Sequence, residues 1–87
     1  MAFLYILQSE KNERYYIGST INLKRRIEEH NSGKSPYTNL TKPFKLVFSQ
    51  EFKTLVEARK IEYKLKRFKN RSIIDKIVMS QKILMRS

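Results

Sequence analysis

Arg26 and His30 lie four residues apart in a stretch with helical spacing, so their side chains can act on one site. Tyr5, Tyr16 and Glu62 are the other residues whose types suit chemistry on a charged group. A phenol or an imidazole can move protons, a guanidinium offers a planar fork of donors, and a carboxylate can hold a hard cation.

Each of these residues also has an ordinary structural role. A tyrosine in a strand is usually a core residue or a cross-strand partner, which is the simpler interpretation of Tyr5 and of Tyr16 taken singly. A histidine near a helix end often complements the helix dipole, as His30 could. Arg26 and Glu62 alone would be solvated charges or halves of an ion pair. Only the joint spacing of the five residues favours a site.

Three apolar stretches predict strands near residues 2–8, 14–18 and 44–52. The first, from Phe3 to Leu7, is a continuous apolar run, so we expect a strand that is covered on both faces. A polar loop leads to the second strand, and a hairpin is the simplest connection. Residues 34–43 contain both prolines and show no periodicity, which predicts a long loop before the third strand.

Helical periodicity predicts helices near residues 22–32, 55–69 and 73–79. The first places His30 beside Leu23 and Ile27, with Arg26 at the edge of that apolar stripe and Gly33 as a C-cap.

The other two helices begin at capping-box patterns. These patterns are Thr54 to Glu57 and Ser72 to Asp75. The second helix has an apolar stripe that is expected to face the core and that consists of Ala58, Ile61, Leu65 and Phe68. Glu62 lies at the flank of this stripe, where it can face a cleft.

The composition indicates one folded domain with a polyanionic partner. The chain has 87 residues, 40% of them hydrophobic, and 19 Lys and Arg against 8 Asp and Glu, which gives a net charge of +11. Nucleic acid is the expected partner, with an anionic membrane as the rival, although no apolar run approaches the length of a transmembrane span. The absence of cysteine fits a cytoplasmic protein and excludes thiolate metal sites.

In their order and spacing, these residues resemble the GIY-YIG nuclease superfamily. Phe3-Leu4-Tyr5 stands for the first half of the signature and Tyr16-Ile17-Gly18 for the second; Arg26, His30 and Glu62 follow. The likeness extends over nearly the whole chain, through Tyr37-Thr38, Pro43, Glu57-Ala58-Arg59 and Lys66. It is strongest to small single-domain members, which are similar to the N-terminal domain of the excision-repair C subunit.

Two positions depart from the family pattern. The first signature element lacks its glycine, which bears on local backbone geometry more than on chemistry. The asparagine that many members carry late in the domain has no secure counterpart, and Asn70 is the nearest candidate.

The resemblance implies an α+β fold, with a small, mainly antiparallel sheet of three strands flanked by helices. We expect a single domain over residues 1–87, with a core near 2–79 and a tail at 80–87. The implied activity is that of a metal-dependent endonuclease that hydrolyses phosphodiester bonds in DNA, with structured or damaged DNA, and hence DNA repair, as the expected context. DNA is favoured over RNA, and the oligomeric state stays open.

The family pattern also implies roles for the five residues. Glu62 would hold one Mg²⁺ or Mn²⁺, and Arg26 would clamp the scissile phosphate. Tyr5 would be the general base or would orient the water, while Tyr16 and His30 would position the nucleophile or relay its proton. A tyrosine pKa of about 10 means that a base role needs help, so the division among these three residues stays open.

Further residues are expected to contact nucleic acid. Gly18 allows a close approach at the strand end, Ser19 can donate to phosphate, and a run from Lys64 to Arg71 has five basic residues among eight. The full predicted set is Gly18, Ser19, Arg25, Lys64, Lys66, Arg67, Lys69 and Arg71.

Two other functions remain open. A non-catalytic nucleic-acid-binding module on the same scaffold would explain the charge and the missing asparagine. A small basic protein that coats RNA or a ribosome surface would make the residue pattern accidental, and it predicts that the five residues lie on separate faces.

Overall fold

The computed structural model describes residues 1–32, 42–68 and 70–81. Along the chain the elements are β1 (Ala2–Ser9), β2 (Tyr15–Thr20), α1 (Leu23–Ser32), β3 (Phe44–Phe52), α2 (Leu55–Phe68) and α3 (Arg71–Ser80). The predicted order and the α+β class are confirmed. The proposed C-cap at Gly33, most of the predicted long loop and Lys69 lie outside the described residues.

The three strands form one antiparallel sheet in the order β2-β1-β3. β1 is the central strand and is buried on both faces, as its continuous apolar run predicts. Leu4 and Ile6 face one core cluster, and Tyr5 and Leu7 face another. The sheet therefore separates two packing layers.

The two layers contain different helices. α2 and α3 cover one face of the sheet, where Ile61, Leu65, Ile74 and Ile77 pack on Leu4, Ile6 and Phe48. α1 covers the other face, where Leu23 and Ile27 pack on a cluster of Tyr5, Leu7 and Phe44. Alternation along β2 follows the same division, because Tyr15 and Ile17 pack on the first layer and Tyr16 on the second.

Local caps fix where the helices begin. Asn22 Oδ1 accepts from the backbone N–H of Arg25, and Thr54 Oγ1 accepts from the backbone N–H of Glu57, which confirms the predicted cap of α2.

The predicted start of α3 is wrong. The N-cap is Asn70, whose Oδ1 accepts from the backbone N–H of Ser72, so the helix begins at Arg71. Asn70 precedes the Ser72 box and is at least as strong a cap, and Asp75 instead accepts the hydroxyl proton of Tyr15 at 2.6 Å. That bond ties α3 to β2.

Phe68 does not complete the inward stripe of α2. Its side chain is 49% exposed, whereas Ala58, Ile61 and Leu65 are buried. Over the residues that the structure describes, no helix is long and apolar enough to cross a bilayer.

Candidate active site

The β1–β2 register places Tyr5 opposite Gly18. A Cβ atom added at Gly18 would meet Tyr5 Oη and would lie 2.5 Å from Tyr5 Cζ, far inside contact distance. The phenol ring of Tyr5 thus occupies the space that a side chain at position 18 would need. This close approach is why the strand has a glycine here.

Gly18→Ala is expected to lower the free energy of unfolding by about 1–3 kcal/mol, because the new methyl group overpacks a buried ring. Urea unfolding followed by far-UV circular dichroism measures the change. In a Tyr5→Leu background, which removes the clashing atoms, the same substitution should cost much less. An equal cost in both backgrounds would contradict the contact.

α1 brings two of the predicted residues to the Tyr5 hydroxyl. The Nε–H of Arg26 donates to Tyr5 Oη at 3.3 Å, and His30 Nε2 lies 3.2 Å from the same oxygen. Since arginine can only donate, the hydroxyl hydrogen of Tyr5 is directed towards His30 when the Nε2 of that ring carries a lone pair. Phenol, guanidinium and imidazole therefore form one hydrogen-bonded group.

Aromatic rings hold the imidazole in place. The ring of Tyr16 meets His30 edge-on at 4.8 Å between centroids, and Phe44 lies at 6.0 Å. His30 is 0% exposed and Tyr5 is 1% exposed, so both groups are sealed from solvent. Arg26, whose side chain is 39% exposed, is the partly open member of the group.

Burial sets the protonation of the two sealed groups. It raises the pKa of the Tyr5 phenol, and the hydrogen bond and positive charge of Arg26 only partly offset this. Burial, followed by the charge of Arg26, lowers the pKa of His30 below its ordinary value of 6.5. Both side chains are therefore neutral at pH 7, and His30 can accept a proton there.

The lowered pKa of His30 predicts a pH-dependent stability. Above pH 6.5 the histidine is neutral in both folded and unfolded chains, so it contributes no slope. As the pH falls from 6.5 towards the lower native pKa, the unfolded chain binds more protons, and stability falls by up to about 1.4 kcal/mol per pH unit.

Urea unfolding at intervals between pH 7.5 and pH 5 measures this slope. His30 is the single histidine of the chain, so His30→Gln is the matched control and should flatten the dependence in this window. Parallel profiles for the two proteins would contradict burial of a neutral imidazole.

Glu62 lies on α2, on the other face of the sheet. Its Oε1 accepts from Ser19 Oγ at 2.5 Å, and its Oε2 lies 2.6 Å from the Lys66 ammonium. Its side chain is only 20% exposed. Ser19, predicted to contact phosphate, therefore positions this carboxylate in the present structure.

The end of β2 joins the two groups. Gly18 faces the Tyr5 layer and the next residue, Ser19, faces α2, so the hydroxyl and the carboxylate lie on the two sides of one edge strand. The negative charge of Glu62 contributes to the raised pKa of Tyr5, which reflects their proximity. Four of the five predicted residues, Tyr5, Tyr16, Arg26 and His30, thus meet on one face of the sheet, and Glu62 lies on the other.

The carboxylate of Glu62 fits a cation. Lys66 Nζ already places a positive charge 2.6 Å from Oε2, on a flexible side chain that is half exposed and can turn away. No group of three or more His, Cys, Asp or Glu side chains that could hold a metal exists among the described residues. A metal here would thus have one protein carboxylate and would otherwise bind water and phosphate oxygens, as Mg²⁺ tolerates.

Several predicted nucleic-acid contacts lie away from this group. Arg25 is exposed on α1 and lies 3.9 Å from Glu29. Arg67 lies over the exposed ring of Tyr63 on the outer side of α2, near Lys64, and Arg71 lies over the ring of Tyr15. The Tyr15–Asp75 bond has no local sequence signature, because its partners are 60 residues apart.

Comparison with known proteins places the chain in a family. A family model described as the GIY-YIG catalytic domain matches residues 1–75. A UPF0213 protein of Streptococcus pneumoniae is 42% identical over 69 residues, which cover 78% of this chain and 69% of that protein. The UPF0213 protein YazA of Bacillus subtilis is 36% identical over 66 residues, or 75% of this chain and 66% of YazA.

A solved structure agrees with these sequence matches. The solution NMR structure of a UPF0213 protein from Bacillus halodurans has a TM-score of 0.56 and 33% identity, over 91% of this chain and 85% of that one. The chain therefore belongs to the GIY-YIG domain family.

Proposed function

We propose that this protein is a metal-dependent endonuclease that hydrolyses phosphodiester bonds in DNA. Membership of the GIY-YIG family supports a nuclease-type function. The observation that carries the proposal is the set of groups around the Tyr5 hydroxyl. Arg26 donates to it, His30 Nε2 lies within hydrogen-bond distance, and the charge of Glu62 acts on it.

Arg26 binds the scissile phosphate in this proposal. Its Nε–H is used by Tyr5, which leaves the terminal nitrogens of a partly exposed guanidinium for a phosphate. Its nearest acid, Glu29, is 3.8 Å away and half-buried, too loose a pair to hold the guanidinium against a phosphate. The phosphate is thereby held above the Tyr5 hydroxyl.

Tyr5 and His30 form the proton relay. In this proposal substrate binding admits one water to the buried Tyr5 Oη. As that water attacks the phosphate it passes its proton to Tyr5 Oη, while the Tyr5 hydroxyl proton moves to His30 Nε2. The lowered pKa of His30 keeps its ring neutral and able to accept. Tyr16 keeps the imidazole in position by its edge-on contact. This assignment avoids the need for a free phenolate, which burial of Tyr5 disfavours.

Glu62, held by Ser19, is the residue that binds Mg²⁺ or Mn²⁺, after Lys66 releases its oxygen. The bound cation would supply charge neutralisation at the phosphate and at the leaving oxygen. The net charge of +11 supports DNA as the polyanion. Structured or damaged DNA, in a repair context, is the substrate class that we propose.

To test this proposal, the purified protein is incubated with Mg²⁺ or Mn²⁺ and labelled DNA substrates, namely a linear duplex, a flap, a three-way junction and a single strand. An RNA strand of the same sequence is included for comparison. We expect metal-dependent cutting that is strongest on the branched or gapped substrates. Products resolved on denaturing gels give the cleavage sites. Absence of cutting on every substrate with either metal would contradict the proposal.

A non-catalytic nucleic-acid-binding module is the second candidate. The Asn70 side chain caps α3, so it does not supply the late asparagine of the family pattern to the site. Tight binding whose affinity falls steeply with salt, without cleavage, would favour this function.

A further inference from the structure

A pocket of about 280 Å³ lies between β2, the second half of α2 and the start of α3. Its floor is apolar and consists of Ile17, Leu65 and Ile74. Three cationic side chains, Arg14, Lys66 and Arg71, line its rim. We refer to it as the β2–α3 pocket.

The charge of the pocket favours an anion. Asp75, the acid in contact with its rim, accepts from Tyr15 at 2.6 Å and lies 3.8 Å from Arg71, so its charge is already engaged. Arg14 is exposed at the end of the hairpin loop. A ligand that matches both rim and floor has a negative group and a flat apolar face, and a nucleotide has both.

Lys66 connects this pocket to the candidate active site. The same ammonium that lines the pocket lies 2.6 Å from Glu62 Oε2. A nucleotide in the pocket would therefore lie close to the Glu62 carboxylate. The volume is near the lower end of the roughly 300–1,000 Å³ of small-molecule sites, which admits one nucleotide but no duplex.

We propose that the β2–α3 pocket binds one unpaired nucleotide of the substrate strand, next to the phosphate that is cut. Arg14, Lys66 and Arg71 hold its phosphate, and its base packs on the apolar floor. This inference rests on the proposed nucleic-acid function and narrows the substrate to strands with an unpaired nucleotide at the cleavage point. Phosphate binding also attracts Lys66 and thereby frees Glu62.

The first experiment locates the ligand without any catalysis. Thymidine 5′-monophosphate and an oligothymidylate of eight residues are titrated, in EDTA, into isotopically labelled protein, and chemical shifts are followed by NMR. We expect the largest changes at Arg14, Tyr15 and the methyl groups of Ile74. Changes confined to the outer face of α2, at Arg59, Lys60 and Tyr63, or spread evenly over the basic side chains, would overturn the proposal.

The second experiment uses a matched pair of variants. Arg14→Gln and Arg59→Gln each remove one charge from an exposed arginine, but only Arg14 lines the pocket. Fluorescence anisotropy in EDTA should show Arg14→Gln binding the oligothymidylate about 3- to 10-fold more weakly, and Arg59→Gln less than about 2-fold. Equal losses of affinity in the two variants would mean that only net charge matters, and would contradict nucleotide binding in the pocket.

These measurements separate this inference from the endonuclease proposal. Binding is measured without metal. If the protein does not cut DNA but Arg14→Gln still weakens binding, the pocket proposal stands and only the endonuclease proposal fails. If the protein cuts DNA but Arg14→Gln does not change binding, the endonuclease proposal stands and the pocket proposal fails.

Discussion

Glu62→Gln is expected to reduce DNA cleavage about 10³-fold while leaving DNA binding within about 2-fold of wild type. Glutamine keeps the size of the side chain and an oxygen that can accept from Ser19, but it has no negative charge with which to hold a divalent cation. Losses of 10²–10³-fold are typical when one group that stabilises transition-state charge is removed.

The fold should tolerate this substitution. The ion pair with Lys66 is lost, but that lysine is half exposed, and pairs of this kind contribute little to stability. Removing a carboxylate from the binding surface also lowers repulsion of phosphate, which is why affinity should not fall. Loss of activity would then report the chemistry and not the folding.

Single-turnover cleavage with Mn²⁺ and anisotropy in EDTA measure the two quantities. Glu51→Gln, at an exposed position on β3, is the control with the same change of charge and should cut at the wild-type rate. If Glu62→Gln retains more than about a tenth of the activity, the assignment of the metal to this carboxylate is wrong.

Local sequence patterns predicted the fold well because each core element carries its own periodicity. The unbroken run from Phe3 to Leu7 identified a central strand, and the spacing of Leu23, Ile27 and His30 identified the buried face of α1. That same spacing predicted that Arg26 and His30 act at one place, and the structure brings both to Tyr5.

The sequence-based predictions fail where tertiary contacts determine the structure. The Ser72 box has the right residue types, but Asn70 caps α3, and Asp75 is engaged by Tyr15 from the other end of the chain. Phe68 fits the helical stripe, yet it is half exposed. A periodic pattern specifies which face of a helix can be buried. It does not specify how far along the helix the neighbouring elements cover that face.

The site itself was only partly predictable. Residue order favours a common site for the phenols, the guanidinium and the carboxylate, but does not show that they lie on two sides of the edge strand β2. The pairing of Glu62 with Ser19 and Lys66 depends on how α2 crosses that strand. The β2–α3 pocket likewise arises from three separate elements and has no local signature.

Arg26→Lys is expected to reduce cleavage about 10²- to 10³-fold although the positive charge is retained. In the proposal the guanidinium serves two partners at once, since its Nε–H donates to Tyr5 while its terminal nitrogens bind the phosphate. A lysine has one compact ammonium without a planar fork, so it can serve the phenol or the phosphate but not both in the same geometry.

The substitution should also change the phenol. The hydrogen bond from Arg26 and its charge are the influences that lower the pKa of Tyr5 against burial. Losing the directed Nε–H bond therefore raises this pKa further and makes it harder for Tyr5 to pass its proton to His30. Because the relay needs neutral His30 and no free phenolate, we expect the single-turnover rate of the variant to fall at every pH, with the rising limb of its pH–rate profile unshifted.

Binding distinguishes this effect from a loss of electrostatic attraction. Arg26→Lys keeps all 19 basic residues, so the salt dependence of DNA binding should be unchanged, whereas Arg26→Ala should reduce both affinity and cleavage. Arg59→Lys, on the outer side of α2, is the control and should cut normally. If Arg26→Lys cuts at the wild-type rate, positive charge alone suffices at position 26. The contact between guanidinium and phenol would then be structural, and the proton relay through Tyr5 would lose its support.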